Sequence, residues 1–153
     1  MNSIVLIGCA KTKLPGIHPA CELYRSRLFR LSFAYAVLQN FGPRKFILSA
    51  KHGLLSPNKR IKSYDQSLQE MTAQERRQWA KKVARQIKAQ FLPPGWEIHF
   101  LCGEDYQRDL MTELGDGFVY HIPMRGLSLG KQVQWLQQRV IDPEVYRKMK
   151  EIK

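Results

Sequence analysis

Four short apolar runs are separated by segments with helical patterns, and this alternation constrains the fold more than any other feature. The runs are residues 3–8, 45–49, 97–102 and 118–122. Each is short for a helix and rich in β-branched or aromatic residues, a pattern typical of buried strands. Strands that alternate with helices pair in parallel through right-handed crossovers. The sequence therefore predicts one α/β domain over residues 1–153, a three-layer sandwich with a four-stranded parallel sheet.

The segments between these runs carry helix signals. Apolar side chains recur at helical spacing, and the predicted helices cover residues 24–41, 72–91, 104–114, 129–141 and 143–152. Thr72 and Glu75 form the T-x-x-E pattern of a capping box. Gly42-Pro43 and Pro93-Pro94 are expected to end the first two helices.

The whole chain has a net charge of +12, and the positive charge is concentrated in its first part. Residues 1–64 hold eleven lysines and arginines and one acid, Glu22, whereas residues 65–153 hold fourteen basic and twelve acidic residues. A field of one sign attracts polyanions. The basic residues are interleaved with Tyr24, Phe29, Phe33, Tyr35 and His52. We therefore expect the basic N-terminal half to bind DNA or RNA, the alternative being a basic surface that only confers solubility.

Cysteine usage and hydropathy indicate a cytoplasmic protein. The three cysteines include no C-x-x-C pair, so neither a disulfide framework nor a zinc knuckle is indicated. The first residues lack the charged start and long apolar run of a signal peptide, and no apolar stretch approaches the length of a membrane span. We expect no membrane partner, and the oligomeric state stays open.

In open parallel sheets, ligands bind outside the carboxyl ends of the strands. That rule selects residues 8–22, 50–68, 103–106 and 123–130. The first loop holds Lys11 and Lys13 and leads to Tyr24, Ser26 and Arg27. It contains no glycine-rich phosphate motif, so nucleoside-triphosphate and dinucleotide binding are not supported. Its lysines either hold a phosphate or a base carbonyl or are ordinary surface residues.

The second loop, LSAKHGLLSPNKRIKSYDQSL, is the most informative. Leu54 and Leu55 are apolar within a lysine-rich loop, so they either tuck under it or wedge against a ligand. Gly53 permits a positive φ or a close approach. His52 is a candidate acid–base group or base-stacking ring, with a structural hydrogen bond as the alternative.

Asp65 ends a stretch, residues 23–64, that has no carboxylate. It either pairs with Lys62 or Arg60 or is the reacting group.

In the third loop, capping and the helix dipole already explain Glu104 at a helix start, and catalysis is the weaker reading. In the fourth, Arg125 precedes Gly126 and is either a phosphate or base contact or a capping arginine.

The second loop also carries a recognisable pattern, S-x-x-x-G-L-L-x-P followed by I-x-x-Y. The matching residues are Ser49, Gly53, Leu54, Leu55, Pro57, Ile61 and Tyr64. The pattern resembles a bacterial and phage family of uncharacterised YaaA-like domains, often labelled peroxide-stress proteins. Cys9, Lys13, Tyr24 and Ser26 resemble a segment of archaeosine synthase, a tRNA-modifying enzyme.

These groups are similar in fold to the uracil-DNA glycosylase superfamily. The resemblance thus implies a four-stranded parallel sheet with its site at the strand carboxyl ends. The glycosylase signatures Gly-Gln-Asp-Pro-Tyr and His-Pro-Ser are absent from this sequence.

The leading hypothesis is an enzyme that hydrolyses the N-glycosidic bond of a modified nucleobase in DNA. Such a site needs a carboxylate near the sugar, for which Asp65 is the candidate, and donors near the base, for which Lys13, His52 and Lys11 are candidates. The base must also leave the stack. The candidate contacts to nucleic acid or base are Cys9, Lys11, Tyr24, Ser26, Arg27, Ser49, Lys51, Gly53, Leu54, Tyr64, Glu104, Arg125 and Gly126. The chemistry requires no metal ion and no organic cofactor.

Two other functions use the same residues. One is a non-catalytic, basic DNA-binding protein that protects under stress, as the YaaA resemblance implies. The other is a transferase that modifies a free base or tRNA. In the first case Asp65 is only structural.

Overall fold

The computed structural model describes residues 3–39, 41, 44–90 and 95–140. Its strands are β1 (Ser3–Gly8), β2 (Ile17–Pro19), β3 (Lys45–Ser49), β4 (Gly53–Leu55), β5 (Arg60–Lys62), β6 (Glu97–Leu101) and β7 (Val119–His121). Its helices are α1 (Ala20–Leu23), α2 (Arg27–Leu38), α3 (Ala73–Lys88), α4 (Glu104–Leu114) and α5 (Leu129–Val140), with a 3-10 turn at Leu68–Glu70. No helix in these ranges is long and apolar enough to cross a membrane.

The central sheet contains the four predicted strands in the order β3-β1-β6-β7, all parallel. The bounds of β1 and β3 agree with the prediction, while β6 and β7 are slightly shorter. The central strand β1 is buried along nearly its whole length. This explains its unbroken apolar sequence, because a strand covered on both faces shows no polar alternation.

The prediction of a four-stranded, wholly parallel sheet is wrong, because β4 adds a fifth strand antiparallel to β3 at the edge. Only three residues separate β3 from β4, and a parallel pairing needs a much longer crossover. The pairing sets Leu54 beside Leu48 and Leu55 beside Ile47. The leucines thus extend the sheet, and Leu55 is buried rather than free to wedge into a ligand.

Helices cover both faces of the sheet, so the three-layer arrangement is confirmed. Ile4 and Leu6 of β1 pack in a core with side chains of α3 and α4. Val5 and Ile7, on the opposite face of the same strand, pack with side chains of α2 and α5.

The helix starts follow from local hydrogen bonds. The predicted capping box is present: Glu75 N–H donates to Thr72 Oγ1 at 3.1 Å, and Thr72 N–H donates to Glu75 Oε1 at 3.0 Å. Helix α2 begins at Arg27, later than predicted, because Tyr24 forms a β-bridge with Lys13 and Ser26 caps the helix. The last predicted helix, residues 143–152, lies outside the described residues.

The first two loops are tied together by a small second sheet. Strand β2 of the first loop pairs antiparallel with β5 of the second, so that His18 lies opposite Ile61. The sequence did not predict either strand, since each spans only three residues. The pairing holds the two longest loops at the same edge of the central sheet.

Gly53 is required by the turn that creates β4. Its φ is +72°, and a Cβ there would lie 2.3 Å from Gln86 Oε1, which accepts a hydrogen bond from Leu54 N–H. We expect Gly53→Ala to lower the free energy of unfolding by about 2 kcal/mol or more, because the left-handed backbone is strained and the Gln86 amide must move away from its hydrogen bonds to Leu54 N–H and the His52 carbonyl oxygen. Gly126→Ala, at φ +77° in open space, is the control and should cost about 1–2 kcal/mol. Urea unfolding checks both, and equal losses would contradict the steric argument.

Candidate functional site

A cleft of about 510 Å³ opens beyond the carboxyl ends of β1 and β6. We call it the β1–β6 cleft. Its wall is formed by residues 8–12, 26–29, 67–69 and 101–103 with Ser32, Tyr106, Met124, Leu129, Gln132 and Val133. The cleft lies where ligands bind in sheets of this kind, and its volume is that of a small-molecule site.

Four of the predicted contact residues line this cleft: Cys9, Lys11, Ser26 and Arg27. Ser26 caps α2 by accepting a hydrogen bond from Phe29 N–H at 3.1 Å. The amino end of α2 therefore faces the cleft and adds a partial positive charge. The Lys11 and Arg27 side chains are exposed at the same place.

Tyr64 connects the first two loops to the sheet. Its hydroxyl lies 2.6 Å from the Tyr24 hydroxyl and 2.8 Å from Ser49 Oγ, which accepts a hydrogen bond from His52 N–H. Burial raises the pKa of Tyr24 to about 12 and that of Tyr64 further, so both phenols are neutral donors at physiological pH. Ser49 and Tyr64 belong to one sequence pattern and Tyr24 to another, and the fold brings the three together. We call Tyr24, Ser49 and Tyr64 the hydroxyl cluster.

The hydroxyl cluster is an internal support rather than a contact surface. Tyr24 and Ser49 are fully buried, and Gly53 is buried beside them. They cannot touch a nucleic acid from these positions, which corrects their prediction as contact residues. Tyr64 is half-buried and Leu54 packs against the core next to α3.

Lys13 is also engaged within the protein. Its ammonium lies 4.5 Å from the centroid of the Tyr64 ring and donates to the carbonyl oxygens of Lys11 at 3.0 Å and Gln66 at 3.3 Å. Desolvation lowers its pKa. The contacts tie the first loop to the segment that carries Asp65. Lys13 does not line the cleft.

His52 also contacts Tyr64, with the two rings edge to face and their centroids 5.7 Å apart. Burial lowers the pKa of His52, and the nearby Lys51, Lys59 and Lys82 lower it further. The ring is therefore neutral at pH 7. The three lysines form a patch of like charge, which we call the His52 lysine patch.

Asp65 is exposed and lies outside the wall of the β1–β6 cleft. Among the described residues it makes no ion pair within 4.0 Å, so the predicted pairing with Lys62 or Arg60 is absent. It is close enough to Lys11 and Lys13 to raise their pKa values, although other effects on those lysines are larger. Lys11 pairs instead with Glu70, at 2.6 Å. Asp65 thus stands beside the cleft on the segment that leads into its wall.

A second cleft, the β6–β7 cleft, contains the remaining predicted residues. Its wall includes Glu104, Arg125 and Gly126, and it shares Cys102, Met124 and Gln132 with the first cleft. Its volume is about 620 Å³. The third and fourth loops therefore line both clefts: Gly103, Tyr106, Met124 and Leu129 lie in the wall of the β1–β6 cleft with residues of the first two loops, whereas Glu104, Arg125 and Gly126 line the β6–β7 cleft.

Several wall residues were not predicted individually. Tyr106 is half-buried in the β1–β6 cleft, and its ring lies 3.1 Å from where a Gly103 Cβ would be. Gln107 is buried and donates from its side-chain amide to the Cys102 carbonyl oxygen. Burial raises the pKa of the Cys9 and Cys102 thiols, so neither is an activated nucleophile. The sequence signal that could have indicated Tyr106 is Gly103, three residues before it, where the absence of a Cβ leaves room for the ring.

A comparison with known protein families identifies the family of this chain. A family model described as "Family of unknown function (DUF6884)" matches residues 4–138, which include every residue of both cleft walls. The chain belongs to this family. No curated protein and no solved structure matches it. For the DUF6884 domain, function must therefore be argued from the clefts themselves.

We expect the hydrogen bonds of the hydroxyl cluster to stabilise this DUF6884 domain. Tyr64→Phe removes a hydroxyl that has two hydrogen-bond partners in a buried setting, so we expect unfolding to become easier by about 1–3 kcal/mol. Tyr35→Phe is the control, because the Tyr35 hydroxyl makes no hydrogen bond among the described residues. Urea unfolding measures both. A Tyr64→Phe protein as stable as the control would show that the cluster does not hold the loops.

Proposed function

We propose that the protein is a DNA glycosylase-like hydrolase that binds nucleic acid and receives an unstacked, modified nucleobase in the β1–β6 cleft. The observation that carries the proposal is a partly apolar cleft at the strand ends whose entrance holds cations of the basic N-terminal half. The resemblance in fold to the uracil-DNA glycosylase superfamily points to the same chemistry and stays a prediction, whereas the YaaA-like resemblance implies the non-catalytic alternative.

The wall of the cleft suits a nucleobase. Tyr106, Leu28 and Met124 offer apolar and aromatic surface for stacking. Gln69 and Gln132 offer amides that both donate and accept hydrogen bonds, as base edges require. Because burial raises the pKa of Tyr106 to about 12, its hydroxyl is also a donor at neutral pH.

The charges around the cleft suit a phosphate backbone. Lys11 and Arg27 lie at the cleft itself, and the His52 lysine patch lies near His52, whose ring contacts Tyr64. Each cation that neutralises a phosphate releases counterions, which favours binding at low salt. Base removal requires the target to leave its stack, and contacts to the phosphates on either side stabilise that arrangement.

In the proposed reaction, water attacks C1′ of the sugar while the C1′–N bond breaks and its electron pair leaves on the base. Asp65 accepts the proton from water, and that proton is passed to the departing base. A cation near the base stabilises the negative charge that develops on it, a role open to Lys11. Lys13 and His52 act as supports of the loops in this scheme, since both contact Tyr64.

A second candidate function is a non-catalytic nucleic-acid-binding module. The observation that favours it is the absence of any carboxylate from the described wall of the β1–β6 cleft, with Asp65 exposed beside it. A transferase acting on a free base or tRNA would use the same cleft and would exchange a base rather than release one.

Base release distinguishes these functions. Purified protein is incubated with duplex and single-stranded DNA bearing ordinary, deaminated or bulky modified bases, and released base and alkali-labile abasic sites are measured. We expect release from at least one modified substrate, with Asp65→Asn reducing the rate at least 100-fold without weakening DNA binding. Glu22→Gln, the other exposed carboxylate among residues 1–65, is the control and should retain activity. Tight binding with no release across the panel would favour the binding module.

Nucleic-acid affinity tests the orientation of the site separately from catalysis. Arg27→Gln should weaken DNA binding and reduce the slope of log affinity against log salt by about 1, because one phosphate contact is lost. Arg30→Gln is the control, since Arg30 is exposed on the same helix but does not line the cleft. Fluorescence anisotropy over a salt series measures both. Equal slopes for the two variants would place the phosphate path elsewhere.

A further inference from the structure

Three potential metal ligands lie together on strands β6 and β7. Glu97 and His99 are two residues apart on β6 and so point to the same face of the sheet. His121, the last residue of β7, lies directly opposite His99 in the parallel register. None of the three lines the β1–β6 cleft or the β6–β7 cleft.

The side chains converge. One ligand atom from each residue lies within 4.8 Å of the others, and His121 Nε2 lies 2.9 Å from Glu97 Oε1. The two imidazole rings are stacked, with centroids 4.5 Å apart and planes 16° apart. Ligand atoms bound to one zinc ion at about 2.0–2.1 Å are roughly 3.3 Å apart in a tetrahedron. Side-chain rotations that move the ligand atoms by about 1 Å therefore close the arrangement around an ion.

We infer that Glu97, His99 and His121 form a binding site for a divalent transition-metal ion such as Zn²⁺. Two imidazoles and one carboxylate suit zinc, iron, nickel or copper, whereas calcium and magnesium favour sites made of oxygen ligands. All three residues are partly exposed, so at least one coordination position faces solvent. Three protein ligands with an open position are characteristic of a reactive rather than a purely structural metal site.

The surroundings support this assignment. The ring of Phe41 meets the His99 ring edge to face, with centroids 4.9 Å apart, and so restricts its rotation. No metal-ligand spacing is visible in the sequence, because His99 and His121 meet only through strand pairing. The site is independent of the proposed glycosidic chemistry, which uses no metal.

Isothermal titration of the full chain with Zn²⁺ tests the inference. We expect one ion per chain with a micromolar or lower dissociation constant, and a rise in melting temperature on zinc addition. His99→Gln and His121→Gln should each weaken binding at least tenfold. Titration with Co²⁺ should give visible d–d bands that both variants lose.

Two controls keep this result specific. His18→Gln changes another half-buried histidine, one that interacts with the Pro15 carbonyl oxygen, and Cys21→Ala removes a partly exposed thiol. Both should bind zinc as the unchanged chain does. Absence of stoichiometric binding, or losses no larger in His99→Gln than in these controls, would show that Glu97 and His121 form only an ion pair. Circular dichroism confirms that each variant is folded.

Discussion

The arrangement of the site depends on the hydrogen bonds of the Tyr64 hydroxyl. This hydroxyl is hydrogen-bonded to Tyr24, which follows the first loop, and to Ser49 at the end of β3. Ser49 in turn accepts from His52 N–H, while its carbonyl oxygen accepts from the Trp79 indole of α3 at 2.9 Å. The Tyr64 hydroxyl and the Ser49 residue that it contacts thus join two loops, a strand and a helix. Because buried hydroxyls are costly when unpaired, the network holds all these parts in one geometry.

This hydrogen-bond network occupies the interior beside the first two loops. The charged residues of those loops therefore lie around the network rather than within it. Lys13 lies over the Tyr64 ring and donates to two carbonyl oxygens, and the His52 lysine patch lies near His52, whose ring meets the Tyr64 ring edge to face. The described part of the chain contains only four salt bridges, two of which involve α4. Much of the positive charge is therefore not neutralised by carboxylates, and it is available to an anionic partner.

The clefts and the proposed metal site occupy different parts of one sheet. The clefts lie beyond the carboxyl ends of β1, β6 and β7, whereas Glu97, His99 and His121 lie within the β6–β7 pairing. A nucleobase in the first cleft would contact side chains of α2, α4 and α5. An ion between β6 and β7 would instead join two strands at the less buried edge of the sheet. The two proposals can therefore fail or succeed separately.

Local sequence determined the elements whose signals are complete within a few residues. Strands β1 and β3, helix α4 and the Thr72 capping box follow from apolar runs and capping chemistry alone. Strand β4 was missed because its three residues form a strand only by pairing with β3, and a turn at Gly53 allows that pairing. Helix α2 began late because Tyr24 found a partner in Lys13, which no local pattern shows.

The sequence by itself thus determined the α/β class, the central strands and the concentration of positive charge in residues 1–64. Only the tertiary structure decided which candidates line a cleft: it placed Arg27 at a cleft, buried Tyr24 and Ser49, and left Asp65 exposed. It also brought His99 opposite His121. The physical reason is that strand register and loop packing are contacts between residues far apart in the chain, set by burial and hydrogen bonding of the whole fold.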